Sequence, residues 1–193
     1  MGSLVEVKDN DGDAGAVIVT PLNFTIVETG IYRCGFLPGF PEPCYFAYIQ
    51  ALNLKSIVCL CLEQFPEETV KFLQANNIKL FQFGILGGTV DPMAPLEDET
   101  ARSIRKRKKK DMIHQALKVL VDERNHPILI HCRHGLHRTG IVVGCYRKLK
   151  HNWSLPCVLE EYQRLAGETA RRSDMRFIEN YECYECETQQ DAS

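Results

Sequence analysis

The stretch HCRHGLHRTG places Cys132 and Arg138 five residues apart, with a glycine between them and Thr-Gly directly after. These types at this spacing suit chemistry on phosphorus. A short loop can turn its backbone N–H groups toward one central point and form an anion nest. A helix opening near Arg138 aims its positive end at the same point. A thiol held there gives up its proton readily, and a thiolate attacks phosphorus and can carry the phosphoryl group covalently. Arg138 supplies a planar, two-pronged donor matched to two phosphate oxygens, which lysine does not reproduce. Gly135 permits the tight turn. The Thr139 hydroxyl is near enough in sequence to donate to the Cys132 sulfur, and His131 orients the loop rather than acting on substrate. Cysteine and arginine at this spacing also occur as a buried thiol beside a surface guanidinium. The full context of apolar strand, His-Cys, glycine, Arg-Thr-Gly and apolar helix favours the catalytic reading.

That context has to be built by the flanking elements. Residues 127–131 are an apolar run that reads as a buried strand, and residues 139–150 read as a helix. Upstream, 23–35 reads as a β region turning at Glu28-Thr29-Gly30. Residues 43–52 carry Phe46, Ile49 and Leu52 at helical spacing, 56–62 reads as a buried strand, 67–75 as a helix and 78–83 as a further strand. Residues 112–123 form a helix whose stripe is Ile113, Ala116, Leu117, Leu120 and Val121. Helices follow near 156–166 and 174–183. Strand and helix in alternation predict an α/β domain with a mostly parallel sheet, in which ligands sit beyond the carboxyl ends of the strands. That end is where Cys132 lies. The chain reads as a leader, 1–16, polar and disordered; one phosphatase domain, 17–185, with a basic loop insertion near 97–111; and a tail, 186–193.

The 193 residues are 45% hydrophobic and 25% charged, enough for one packed core. A net charge of −2 argues against a nucleic-acid partner bound through bulk charge. No apolar run reaches the length of a membrane span, and the first fifteen residues lack the pattern of a secretion signal. Met1-Gly2 is not a myristoylation site, because Glu6 stands where Ser or Thr is needed. The 9 cysteines sit mostly in apolar runs and read as reduced thiols of a cytoplasmic or nuclear protein. A lone CxxC, Cys183 and Cys186, is a weak zinc signal.

The HCxxGxxRTG stretch resembles the cysteine-phosphatase signature. More specifically, the chain resembles the plant and fungal atypical dual-specificity phosphatases through NFTIVETGIYRCGF, LNLKSIVCLC, IKLFQFGI, ALKVLVDERNHPILIHC, EEYQRLAG and ARRSDMRF, spanning residues 22–181. The resemblance implies a three-layer tyrosine-phosphatase-like fold, with helices flanking a central sheet, and no metal or other cofactor. It implies a cysteinyl-phosphate intermediate and cleavage of the β-phosphate of inositol pyrophosphates, with phosphotyrosine-type activity beside it. Arg133, His134, Gly135, Leu136, His137 and Arg138 are then the loop's candidate substrate contacts. Leu136 stands where the family usually carries lysine, a loss for holding a crowded polyphosphate. His134 and His137 are read as surface loop histidines before catalytic bases.

Asp91, in Asp91-Pro92-Met93 where the family tends to show Glu-Pro-Phe, is the candidate general acid; otherwise it is a turn residue before proline. Glu97 and Asp98 are weaker candidates. The basic run at 105–110, RKRKKK, could draw an anionic substrate, serve nuclear import, or be a solvated loop. Arg171, Arg172 and Arg176 either face the pocket or make surface ion pairs. The other readings are a protein tyrosine or dual-specificity phosphatase, a non-catalytic phosphate-binding module, and, further off, a redox-active thiol protein. Oligomeric state is left open.

Overall fold

The computed structural model describes residues 4–6, 17–35, 48–86 and 98–182. Strands β1 (Leu4–Glu6) and β2 (Val17–Val19) pair antiparallel as a separate ribbon, so part of the stretch read as a disordered leader is strand. The apolar VIV run gives the LVE run a β-forming partner. Strands β3 (Thr25–Glu28) and β4 (Ile31–Gly35) form the hairpin, turned at Gly30 with φ +80°. Residues 48–51 are helical; the rest of the 43–52 prediction lies partly outside the described residues.

Strand β5 (Ser56–Cys59), helix α1 (Glu67–Ala75), strand β6 (Lys79–Gln82), helix α2 (Glu99–Val121), strand β7 (Ile128–Cys132) and helices α3 (His137–Lys150), α4 (Leu155–Ala166) and α5 (Arg172–Glu179) complete the domain. The sheet order is β3-β4-β7-β5-β6, with β3–β4 antiparallel and the remaining pairings parallel. Strand β7 is central and buried along its whole length, which is why its residues read as a continuous apolar run. Ile128 and Ile130 face the core made with α2, α3, α4 and α5, while Leu129 faces the one containing Ile49 and Leu73.

One element departs from expectation. Helix α2 begins at Glu99, so residues 105–110 are helix and not loop. Asp98 caps it, accepting from the Ala101 N–H at 2.7 Å. Lysine and arginine are good helix formers, and a solvated helix needs no apolar stripe until it meets the core at Ile113. Strand β6 forms where a further strand was expected and stands at the sheet edge, paired among the described residues with β5 and exposed at Lys79 and Gln82. Among the described residues no helix is long and apolar enough to cross a membrane.

Arg147 on α3 ties three elements together. Its Nη2 donates to the Val27 carbonyl at 2.6 Å and to Glu161 at 3.1 Å, and its guanidinium lies 4.4 Å from the Trp153 ring centroid. The Arg147 and Glu161 side chains are only 9% and 15% exposed, so losing one partner strands the other in low dielectric. Arg147→Met should lower unfolding free energy in urea by about 3 kcal/mol, with part recovered by adding Glu161→Gln. A loss below about 1 kcal/mol, the range of exposed pairs, would mean that water screens the pair.

Candidate active site

Strand β7 ends at Cys132 and α3 starts at His137, so four residues turn the chain. Gly135 has φ +71°, and a Cβ there would run into the carbonyl of Cys34 and the nitrogen of Gly35. At Gly35 a Cβ would stand 3.1 Å from both the His134 carbonyl carbon and the Leu22 oxygen. The loop apex is thus pressed backbone-to-backbone on the end of β4. Asn23 Nδ2 donates to the His134 carbonyl at 2.9 Å, and Arg33 Nη2 donates to the Gly135 carbonyl at 2.7 Å. In a trans peptide the N–H points opposite to the C=O. Fixing these carbonyls therefore turns the Gly135 and Leu136 N–H groups away from that wall, the polarity an anion nest needs.

Arg33 is 3% exposed. Burial pulls its pKa down, while the Glu161 carboxylate and, after it, charge on Cys132 favour the cation. Arg138 is held from the other side, its Nη1 donating to the Leu60 carbonyl at 3.0 Å and the Ile85 carbonyl at 3.2 Å. Its Nε–Nη2 edge carries no hydrogen bond among the described residues.

A cavity of about 300 Å³ opens over the loop. Cys132, Arg133, His134, His137 and Arg138 line it, joined by Lys109 from α2 and by Arg171 and Asp174 at the start of α5. Gly135 and Leu136, two of the six candidate substrate contacts, are not among its lining residues. Cys132 is 3% exposed yet reaches this space. His137 Nε2 bonds the Thr169 carbonyl at 2.8 Å, which orients the ring through the backbone. The Thr139 hydroxyl is buried and makes no hydrogen bond among the described residues, so the expected donation to Cys132 is not formed here. Asp91 and Glu97, like Cys183 and Cys186, lie outside the described residues; Asp98 is a helix cap.

A model described as the tyrosine phosphatase family matches residues 18–193. The chain belongs to the tyrosine phosphatase family. Inositol diphosphatase DSP3 of Arabidopsis thaliana is 51% identical over 179 residues, 93% of this chain and 78% of that protein. Inositol diphosphatase SIW14 of Saccharomyces cerevisiae is 37% identical over 166 residues, 86% of this chain and 53% of that protein. The crystal structure of the core catalytic domain of the PP-IP phosphatase SIW14, in complex with citrate, superposes with a TM-score of 0.70 at 36% identity, covering 88% of this chain and 91% of that one. The three-layer tyrosine-phosphatase-like fold follows.

Several groups that shape this phosphatase site gave little sign in the sequence. Arg33 and Asn23 precede the loop by about a hundred positions and act on carbonyls. Gly140, read only as part of Arg-Thr-Gly, is a packing residue: a Cβ there would stand 2.8 Å from the Tyr162 ring. Tyr162 in turn donates to Asp174 Oδ2 at 2.9 Å and accepts from the Arg171 N–H at 3.3 Å. Of the three arginines near α5, only Arg171 lines the cavity.

Behind the loop, Cys59, Cys61 and His131 bring potential ligand atoms within 4.8 Å of one another, all buried. The Cys59 thiol hydrogen-bonds toward Cys61, which raises Cys59 and lowers Cys61 relative to an ordinary thiol. The Arg138 guanidinium acts on all three groups, a setting that disfavours a bare cation.

His131 itself is pushed down to about 4, first by burial and then by Arg138. The folded chain therefore refuses a proton that the unfolded chain accepts below its ordinary value of 6.5. This contribution is neutral above that value, erodes stability as pH falls, and levels off near pH 4 after a loss of about 3 kcal/mol. His131→Asn should show a shallower fall in urea stability across that window. Equal slopes would mean that burial does not keep the ring neutral.

Proposed function

We propose that the protein hydrolyses the β-phosphate of inositol pyrophosphates through a cysteinyl-phosphate intermediate, without a metal. The observation that carries this reading is the meeting of Cys132, Arg138 and the start of α3 around one cavity that also receives Arg133, Lys109 and Arg171. The Cys132 sulfur attacks the terminal phosphorus, an S–P bond forms, and the P–O bond to the inner phosphate breaks. Water then cleaves the S–P bond and releases phosphate. The free edge of Arg138 takes two equatorial oxygens, contacts that tighten as charge spreads in the transition state. Thr139 keeps an uncommitted hydroxyl that can turn to the sulfur as it leaves. Relatives named as inositol diphosphatases support the substrate class. The thiols Cys34, Cys59, Cys61, Cys132 and Cys145 are free and buried, which suits a cytoplasmic or nuclear setting.

A second reading, action on phosphotyrosine or on both phosphotyrosine and phosphoserine/threonine proteins, draws on one feature. Leu62 and Leu86 line the cavity and are 52% and 49% exposed, an apolar rim that an aryl group could cover. Comparing kcat/KM on an inositol pyrophosphate and a phosphotyrosine peptide separates the two, and the expected preference is for the pyrophosphate. A marked preference for the peptide overturns the leading reading. Cys132→Ser should abolish turnover of both, and an intact chain that binds phosphate without turnover would be a binding module.

The leaving group supplies a further test. A tyrosine oxygen has a pKa of about 10 and needs a proton on departure, whereas a phosphate monoester, with a second pKa of about 6, departs without one. With Asp91 as the acid, Asp91→Asn loses about 100-fold or more on aryl phosphates and much less on pyrophosphates. Equal losses would remove Asp91 from that role.

A further inference from the structure

The basic run on α2 is exposed at Lys106, Arg107 and Lys108 and half-buried at Arg105, Lys109 and Lys110, and of these six Lys109 lines the cavity. Lys109 lies four residues before Ile113, so it continues the stripe Ile113, Ala116, Leu117 and Leu120 that faces the core. Its side chain is 27% exposed, lies over the Phe177 ring at 5.2 Å and lines the cavity that contains Cys132. Extension of α2 beyond its core-facing half thus delivers one ammonium group to the site.

We propose that Lys109 and Arg171 form a second anion site beside the phosphate loop, which holds a further phosphate of a densely phosphorylated substrate while Cys132 attacks another. This rests on the functional reading above and assigns residues to its substrate preference. Asp174 lines the same cavity as these two groups. Lys109 Nζ is 3.9 Å from Asp174 Oδ1, longer than a hydrogen bond, while Asp174 Oδ2 is committed to Tyr162. Tyr162 also accepts from the Arg171 backbone N–H, so one buried network positions both cations. Two cations against one carboxylate leave a net positive charge facing the cavity. Burial pulls the Lys109 pKa down, Asp174 raises it, and Arg171 lowers it, as expected of cations close enough to feel each other. An anion between them relieves that repulsion. The cavity, about 300 Å³, is at the lower end of ligand-site volumes and has room beyond a single phosphate.

The test uses the full chain carrying Cys132→Ser, with inositol hexakisphosphate and inorganic phosphate as probes. Adding Lys109→Gln should lower the ratio of the two affinities, hexakisphosphate over phosphate, by about tenfold, the scale of one charge-assisted hydrogen bond. Lys109→Arg should restore most of it. Equal weakening of both probes would mean that Lys109 only shapes the loop, and an unchanged ratio would mean that it touches no phosphate; either result overturns the site. Turnover of an inositol pyrophosphate by the unsubstituted chain is read separately. If that fails while the affinity ratio responds to Lys109→Gln, the reaction assignment is wrong and the second anion site stands.

Discussion

The site depends on one buried contact, the hydrogen bond from Arg33 to the Gly135 carbonyl. A loop that gathers N–H groups toward an anion must turn its carbonyls elsewhere, and a buried carbonyl without a donor is costly. Arg33 meets that need from the adjacent parallel strand, where Gly35 is paired in register with Cys132. Glycines at 35 and 135 let the two backbones approach closely enough for the contact. The guanidinium does a second job in the same place, since it brings positive charge beneath the loop. Burial opposes that charge, and Glu161 compensates. Glu161 is also the partner of Arg147, so the loop, α3 and α4 share one electrostatic support.

The same low-dielectric setting sorts the thiols. Cys34 is fully buried; burial and then a nearby charge on Cys132 push its pKa up. Cys145, on the far part of α3, is raised by burial alone as the leading cause. These groups stay protonated and inert. Cys132 differs in place: it stands at the open end of the central strand, between Arg33 on one side and the start of α3 on the other. Position at a strand end, and not residue type, separates the proposed nucleophile from the packing thiols.

What the sequence disclosed follows from the range over which its signals act. The loop from His131 to Gly140 was legible because strand, turn and helix are consecutive, so its chemistry and its geometry share one stretch. The buried strands were legible because a parallel sheet covered on both faces leaves apolar runs. Arg33 was not, because in IYRCG it reads as one polar residue of a half-exposed strand; its partner is set by register with β7. Lys109 was hidden differently. Six consecutive cations carry no period, so nothing in the run marked the one that lines the cavity. Its direction is fixed by Ile113 and Ala116 downstream. Thr139 shows the converse failure: adjacency in sequence suggested a contact with Cys132 that the rotamer does not make.

The balance of charge against apolar surface bears on the choice between substrates. The whole chain carries a net charge of −2, yet the cavity gathers Lys109, Arg133, Arg138 and Arg171 against Glu63 and Asp174. The positive field is therefore local and built. A phosphotyrosine peptide would use the phosphate loop and cover Leu62 and Leu86, already half-buried, which leaves about 1 kcal/mol or so each to gain. A hydrogen bond to a charged group contributes about 1.5–3 kcal/mol, and it is available only to a ligand with anionic groups beyond the one being transferred. Lys109 and Arg171, left without such a ligand, would keep two cations close in a partly desolvated space, at a cost in stability. A fold that carries this cost, with an extended helix to deliver one of the cations, is better matched to a compact polyanion than to a singly phosphorylated side chain.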